Sequence, residues 1–320
     1  MEVLDMKKLL LLSATLAVVS LASCGGTSTE EKSVIATLFP QYSLAEQLAG
    51  DLLDVEFILP VGSDPHDFEP TPSQRVKLNN ADVVLFTSES FESWIHSLEE
   101  TATGKLVDLS QVVTLIEGEE HDHDHDHDHD HVLAGPKFAE DHDDDAYDPH
   151  YWLDPLNGLA MLEAISEEIL VLVPEHTSLV ESRKELIREA LEDTVDFYND
   201  LVLEGEELDV VFAGHNAFAY LTNYDVHVLT PYSGFSTDVI PTAQSIIEFS
   251  ELISELNTNI LYVSSTDNNA VIESLLDTNP LLETELLYTL ENVSLSQLEA
   301  EIHYQELLMI NYESLSKSEK

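Results

Sequence analysis

Residues 175–204 read EHTSLVESRKELIREALEDTVDFYNDLVLE, a stretch that follows Pro174 and contains neither glycine nor proline. Its apolar side chains, Leu179, Val180, Leu186, Ile187, Leu191, Val195, Tyr198, Leu201 and Val202, recur at helical spacing. At about 1.5 Å per residue, a helix of this length is roughly 45 Å long, enough to run the height of two lobes. It is expected to be the spine between two domains; the same periodicity also fits a long helix packed on one of them.

On either side of this stretch, short apolar runs alternate with segments of helical pattern. The runs lie at 34–38, 55–59 and 83–86 before it, and at 210–213, 226–229, 260–263 and 286–290 after it. Helical segments fall near 44–48, at 72–80 and at 242–256. This alternation is that of repeated βα units and predicts an α/β fold of two lobes, each with a central, mostly parallel sheet flanked by helices. The expected boundaries are 33–174 for the first lobe, 175–204 for the connecting helix and 205–320 for the second lobe.

The chain has 320 residues and 43% apolar content, sufficient for two ordinary cores. It has 63 acidic residues against 12 basic ones, a formal charge of −51. That surplus repels nucleic-acid phosphates and anionic headgroups, so nucleic-acid binding is excluded, and it suits a cation as ligand. At the amino terminus, Lys7 and Lys8 precede an apolar run over 9–21, then Ala22, Ser23 and Cys24. Residues 1–23 therefore read as a secretory signal, with Met1 or Met6 as the start. The Leu21-Ala22-Ser23-Cys24 string resembles a bacterial lipobox, which makes Cys24 the lipidated residue, and 24–32 would be a flexible tether. An ordinary signal peptide with an incidental cysteine is the alternative. Cys24 is the single cysteine, so no disulfide forms within the chain.

Histidine and aspartate alternate strictly through His121, His123, His125, His127, His129 and His131. No core can be built from such a tract, so 117–145 is expected to be a solvated loop inserted into the first lobe. Outside it, three histidines have unusual neighbours: His66 in Asp64-Pro65-His66-Asp67, His150 in Asp148-Pro149-His150-Tyr151-Trp152-Leu153-Asp154-Pro155, and His215 in Gly214-His215-Asn216-Ala217-Phe218. His66 and His215 follow strand-like runs, where open α/β sheets bind ligands. Neutral imidazoles suit zinc, and a carboxylate can complete a tetrahedral site. Glu291, at the end of the run 286–290, is the candidate for that place, although spacing alone does not set it apart from the other acids.

These strings, with Phe91-Glu92-Ser93-Trp94 and Thr289-Leu290-Glu291-Asn292-Val293-Ser294, resemble the metal-binding solute receptors of bacterial ABC importers, and within them the ZnuA/AdcA-like zinc receptors. The resemblance runs from about Ser33 to Glu313 and implies two α/β lobes joined by a rigid backbone helix, with one metal in the interlobe cleft. It implies a ligand set of His66, His150, His215 and Glu291 for Zn2+, since manganese receptors of similar pattern carry a glutamate in the third place and an imidazole there favours zinc. It further implies a monomeric, lipid-anchored protein outside the cytoplasm. Such a protein passes its ion to a membrane permease and its ATPase, and the histidine tract is a weak collecting loop. The chain departs from the pattern at Thr237-Asp238-Val239-Ile240-Pro241, where relatives show Pro-Glu-x-Glu-Pro, and at Ser88-Glu89-Ser90, where they carry Asn-Gly. No accessory domain is expected after Glu313. The competing functions are a manganese or iron receptor of the same pattern, a secreted zinc hydrolase, and a surface adhesin. The hydrolase lacks a His-Glu-x-x-His helix, and Glu291 would fill the position its water needs.

Overall fold

Four short strands, β1 (Ser33–Ala36), β2 (Asp54–Phe57), β3 (Val83–Phe86) and β4 (Lys105–Asp108), form a parallel sheet in the order β2-β1-β3-β4. The computed structural model describes residues 32–116, 147–233, 235, 240–264 and 269–318. The expected signal segment, Cys24 and the histidine tract lie outside these described residues.

The two central strands, β1 and β3, are apolar except for Ser33 at the start of β1, because both faces of the sheet are covered. Val34, Ala36, Val83 and Leu85 point to one core, with α1 (Phe39–Ala49) and α3 (Pro155–Leu172). Ile35, Val84 and Phe86 point to the other, with Leu78 of α2 (Pro72–Asn80) and with Trp94, Ile95 and Leu98.

The second lobe repeats the scheme. Strands β5 (Leu208–Val211) and β6 (Val226–Leu229) pair in parallel, as do β7 (Ile260–Val263) and β8 (Glu283–Leu286), and a parallel bridge between Phe212 and Tyr262 joins the pairs. Helices α5 (Ala243–Leu256) and α6 (Asn269–Thr278) cover one face through Phe249, Ile253, Val271 and Leu275. The opposite face, with Val210, Phe212, Ile260 and Tyr262, shares one core with the first lobe.

The connecting helix is shorter than the sequence pattern. Pro174–His176 form a 3-10 turn, and α4 spans Thr177–Asn199. Its buried stripe is Val180, Ile187, Leu191, Thr194 and Tyr198, while Leu179 and Leu186 are exposed. Basic residues fasten it to the first lobe. Arg183 donates to the carbonyls of Leu48 (3.1 Å) and Ala49 (2.7 Å) at the end of α1, where the helix dipole favours a cation. Lys184 and Arg188 both pair with Glu163 of α3. Gly50, at φ 54°, lets the chain turn there, since a Cβ would lie 2.7 Å from the Arg183 guanidinium. After the short α7 (Leu295–Glu299), α8 (Tyr304–Leu315) returns along α4, with Tyr198 donating to the carbonyl of Leu308 at 3.0 Å.

The run 286–290, expected as a strand, is not one. The strand ends at Leu286; Leu287 and Leu290 turn into the core, and Leu290 has φ 60°, which a strand cannot accommodate. Helix α3 buries Met161, Leu162, Ile165 and Ile169 in the same core as the α4 stripe, and its period is blurred in the sequence by further apolar residues off that stripe, among them the exposed Leu156 and Val171.

Glu92 is buried beneath the first sheet's carboxyl edge, where Thr87 N–H donates to it at 2.6 Å. Burial pushes its carboxyl up to about 7 against the hydrogen bonds from Thr37, Thr87 and Ser88, with the Asp108 charge adding to the rise. The native state thus holds the proton more tightly than the unfolded chain. The associated stability is complete below about pH 4.5 and is lost as pH rises through 7, on the order of 3 kcal/mol. Denaturant unfolding of Glu92→Gln across pH 4.5 to 8 should lack this decline, and a variant with the parent's pH slope would refute the assignment.

Candidate metal centre

Each of the four side chains singled out in the sequence stands at the carboxyl end of a strand or on a loop between lobes. His66 lies between β2 and α2, on a loop pinned by Asp64 Oδ1, which accepts the His66 N–H at 2.9 Å, and by Phe68 N–H donating to the Pro65 carbonyl at 3.1 Å. His150 immediately precedes the 3-10 turn Tyr151–Leu153, which leads into α3. His215 follows β5, and Glu291 follows β8.

These residues, distant in sequence, converge. All three imidazoles turn Nε2 toward Glu291 Oε1, at 2.9 Å for His66, 3.2 Å for His150 and 3.5 Å for His215. The Nε2 atoms of His150 and His215 are 3.3 Å apart. Donors at the corners of a tetrahedron, with bonds of roughly 2.0–2.1 Å, are about 3.3 Å from one another, so the spacing fits a zinc-sized ion. His150, His215 and Glu291 are buried, and His66 is at the edge. The rings of Phe91, against His66 at 4.9 Å, and Trp152, against His150 at 5.2 Å, wall the group.

Neighbouring residues set which atoms face inward. Asp148, fully buried, accepts the backbone N–H of His150 at 2.9 Å and faces its Nδ1 at 2.8 Å, so Nδ1 holds its proton against Asp148 and Nε2 is the atom turned toward Glu291, where an ion would displace its proton. Burial opposes a charge on His150, but the Asp148 carboxylate and then Glu291 outweigh it and hold the imidazole up to about 9. Burial pushes His215 down, and its Nδ1 has no partner among the described residues. Glu291 is held well below the usual carboxylate range: burial opposes this, and His215, His150 and His66 overcome it. The Thr289 hydroxyl donates to Glu291 Oε2 at 2.8 Å, leaving Oε1 for the imidazoles.

Sequence reading did not single out Asp148, Trp152, Asp154 or Thr289 as functional, although the first three flank His150 in the string that drew attention to it. The Trp152 indole N–H donates to the Thr289 carbonyl at 2.8 Å, two residues before Glu291, and so links two of the converging segments. A second group, Glu89, His96 and Glu99, is wholly exposed, and surface acids often cluster so without an ion.

A family profile described as "Zinc-uptake complex component A periplasmic", ZnuA, matches residues 34–318. The chain belongs to the ZnuA family. Among ZnuA relatives, it is 28% identical over 308 residues to the high-affinity zinc uptake system protein ZnuA of Bacillus subtilis (strain 168), covering 93% of each chain. It is 25% identical over 320 residues to the zinc-binding lipoprotein AdcA of Streptococcus pneumoniae (strain ATCC BAA-255 / R6), covering 98% of this chain and 61% of AdcA. It therefore spans less than two thirds of that relative's length. The ZnuA fold itself is shared with the crystal structure of the Zn(II)-bound ZnuA-like domain of Streptococcus pneumoniae AdcA, at a TM-score of 0.70 and 22% identity, over 90% of this chain and 98% of that one.

Asp154 binds the lobes together below the site. It caps α3 through the Leu156 N–H (2.8 Å) and accepts from Tyr224 Oη (2.5 Å) and Asn223 Nδ2 (2.8 Å) of the second lobe. Removing its carboxylate in Asp154→Ala abolishes the cap and leaves the Tyr224 hydroxyl unpaired, for an expected loss of about 2–4 kcal/mol. Urea unfolding measures this; a change under about 0.5 kcal/mol, typical of an inert surface site, would contradict the linkage.

Proposed function

We propose that this chain is the extracytoplasmic receptor that captures Zn2+ for an ABC importer, holding one ion on His66, His150, His215 and Glu291. The observation that carries this is the convergence of three imidazole nitrogens on Glu291 Oε1, at 2.9 to 3.5 Å, with all four donor atoms within 4.8 Å of one another in a largely buried pocket. ZnuA-family receptors work with a permease and its ATPase, and the same partners are proposed here. With a carboxylate in the fourth position, no place remains for the water a zinc hydrolase needs, which supports binding without chemistry. Attachment is assigned to a lipid on Cys24 from the Leu21-Ala22-Ser23-Cys24 string, and the receptor is taken to act as a monomer; among the described residues no helix is long and apolar enough to cross a membrane. The lobes are taken as 33–174 and 205–320, hung on 175–204. The histidine tract is assigned the collection of ions on weak, exchangeable sites.

Elemental analysis of the protein purified without added metal, and with residues 121–131 removed, should find one zinc per chain. Manganese or iron in its place would overturn the choice of ion. His215→Ala should lower zinc affinity by orders of magnitude with the fold intact, and an unchanged titration would remove His215 from the site. Asp148→Asn, which keeps the shape but not the charge behind His150, should weaken binding about 10- to 100-fold.

Acid separates the two kinds of site. Free imidazoles protonate near pH 6.5, so the tract should release zinc below roughly pH 6, ahead of the buried site. A pH titration of bound zinc, with and without residues 121–131, should therefore differ chiefly in its first phase. Loss of the tight phase on removing the tract would reverse the roles.

A further inference from the structure

We propose that Asn292 is an interlobe latch that keeps the His66 loop closed over the ion, resting on the reading of His66 and Glu291 as zinc ligands. Asn292 directly follows Glu291 in the second lobe. Its side-chain amide donates across the cleft to the carbonyls of Pro60 (2.9 Å) and Ser63 (2.7 Å), while its Oδ1 accepts the Val293 N–H at 2.8 Å. Both amide hydrogens are thus committed to the first lobe, and the oxygen fixes which way the amide faces.

The two acceptors belong to a tight turn. Ser63 N–H donates to the Pro60 carbonyl at 3.0 Å, and Gly62 occupies the third position at φ 74° with open space around it, as a type II turn requires. Three residues beyond Ser63 is His66, the least buried of the four ligands. The far end of the loop is anchored within its own lobe, by Phe68 against Trp94 and by Gln74 Nε2 donating to the Ile58 carbonyl at 2.9 Å. Among the described residues, no hydrogen bond reaches 60–63 except those of Asn292 and the turn itself.

The geometry couples release of the ion to two bonds. The edge ligand must swing away before zinc leaves, and the turn that carries it cannot move without breaking both amide bonds. Capture from the open state does not need them. The latch therefore governs dissociation rather than association.

The test is stopped-flow transfer of zinc from the full chain, loaded with one equivalent, to excess chelator. Asn292→Ala should speed release about 10- to 100-fold, the usual cost of removing an outer support of a ligand, with little change in the association rate. Gly62→Ala forces a left-handed alanine onto the same turn and should also speed release. The two effects should be less than additive when combined. In a His66→Ala background, Asn292→Ala should add nothing.

Release at the parent rate from Asn292→Ala overturns the latch. So does full additivity with His66→Ala, which would mean that Asn292 acts on Glu291 alone. If Asn292→Ala does not fold, Gly62→Ala decides, and parent-rate release from it is the negative result. Failure of the underlying reading looks different: His66→Ala itself would then release zinc as the parent does.

Discussion

Two imidazole nitrogens 3.3 Å apart, each facing the same buried carboxylate oxygen, are the arrangement on which the rest depends. If both nitrogens carry protons, the protons clash; if neither does, the lone pairs repel. A single divalent cation satisfies all four donors at once, whereas protons satisfy only some of them. Holding such a set together requires rigid surroundings, and Leu290 shows their extent. Its left-handed backbone, φ 60°, costs on the order of 1–3 kcal/mol and persists only where neighbours over-determine it. Here they do. The Asn311 side-chain amide pairs with both the N–H and the carbonyl of Tyr288, Trp152 binds the Thr289 carbonyl, and Phe39 N–H donates to the Glu291 carbonyl at 3.3 Å.

The string from Asp148 to Pro155 is the junction through which this rigidity is shared. Asp148 orients His150. Tyr151 donates to the Thr87 carbonyl at 2.9 Å, tying the segment to the end of β3. Trp152 reaches the loop of Glu291, and Tyr304 of α8 donates back to the Trp152 carbonyl. Leu153 fills the shared core, Asp154 caps α3 while accepting from the second lobe, and Pro155 opens that helix with a φ already suited to it. Eight consecutive residues thus serve a proposed ligand, a helix start and two lobe contacts. That explains why so unusual a string is needed in one place.

Much of this could be read from the chain itself, and the parts that could not share a cause. The strands at 83–86 and 260–263 are found where their apolar runs predict, because central strands covered on both faces advertise themselves, and the edge strand at 226–229 is found there too. The stretch 286–290 is equally apolar but folds inward as an irregular segment, since its backbone bonds go to an asparagine side chain and an indole that local pattern does not reveal. The connecting helix was legible in outline; its ends were not, because Pro174–His176 tighten into a different turn. His66, His150 and His215 stood out by their neighbours. Glu291 did not: one glutamate among 63 acidic residues is distinguished only by where the fold or a resemblance puts it. Asn292 is subtler still, because its role is visible only in the carbonyls it meets.

Charge divides its work between the surface and the site. Among the described residues every lysine and arginine is paired with a carboxylate, from Lys32 with Asp82 to Lys317 with Glu285, and most of them lie in the first lobe and the connecting helix. Such exposed pairs contribute little to stability, about 0–1 kcal/mol each. Their effect is to leave the large remainder of acids uncompensated and facing solvent. That remainder attracts cations of every kind, and at physiological ionic strength its reach is only about 8 Å. It can raise the number of ions near the cleft but cannot choose among them. In the proposed site, selection falls to the short-range geometry, where three imidazole nitrogens and one oxygen favour a borderline-soft tetrahedral ion over the harder, more abundant ones. A strongly acidic exterior therefore makes an imidazole-rich interior necessary: a site built of carboxylates alone would repeat the surface's indifference.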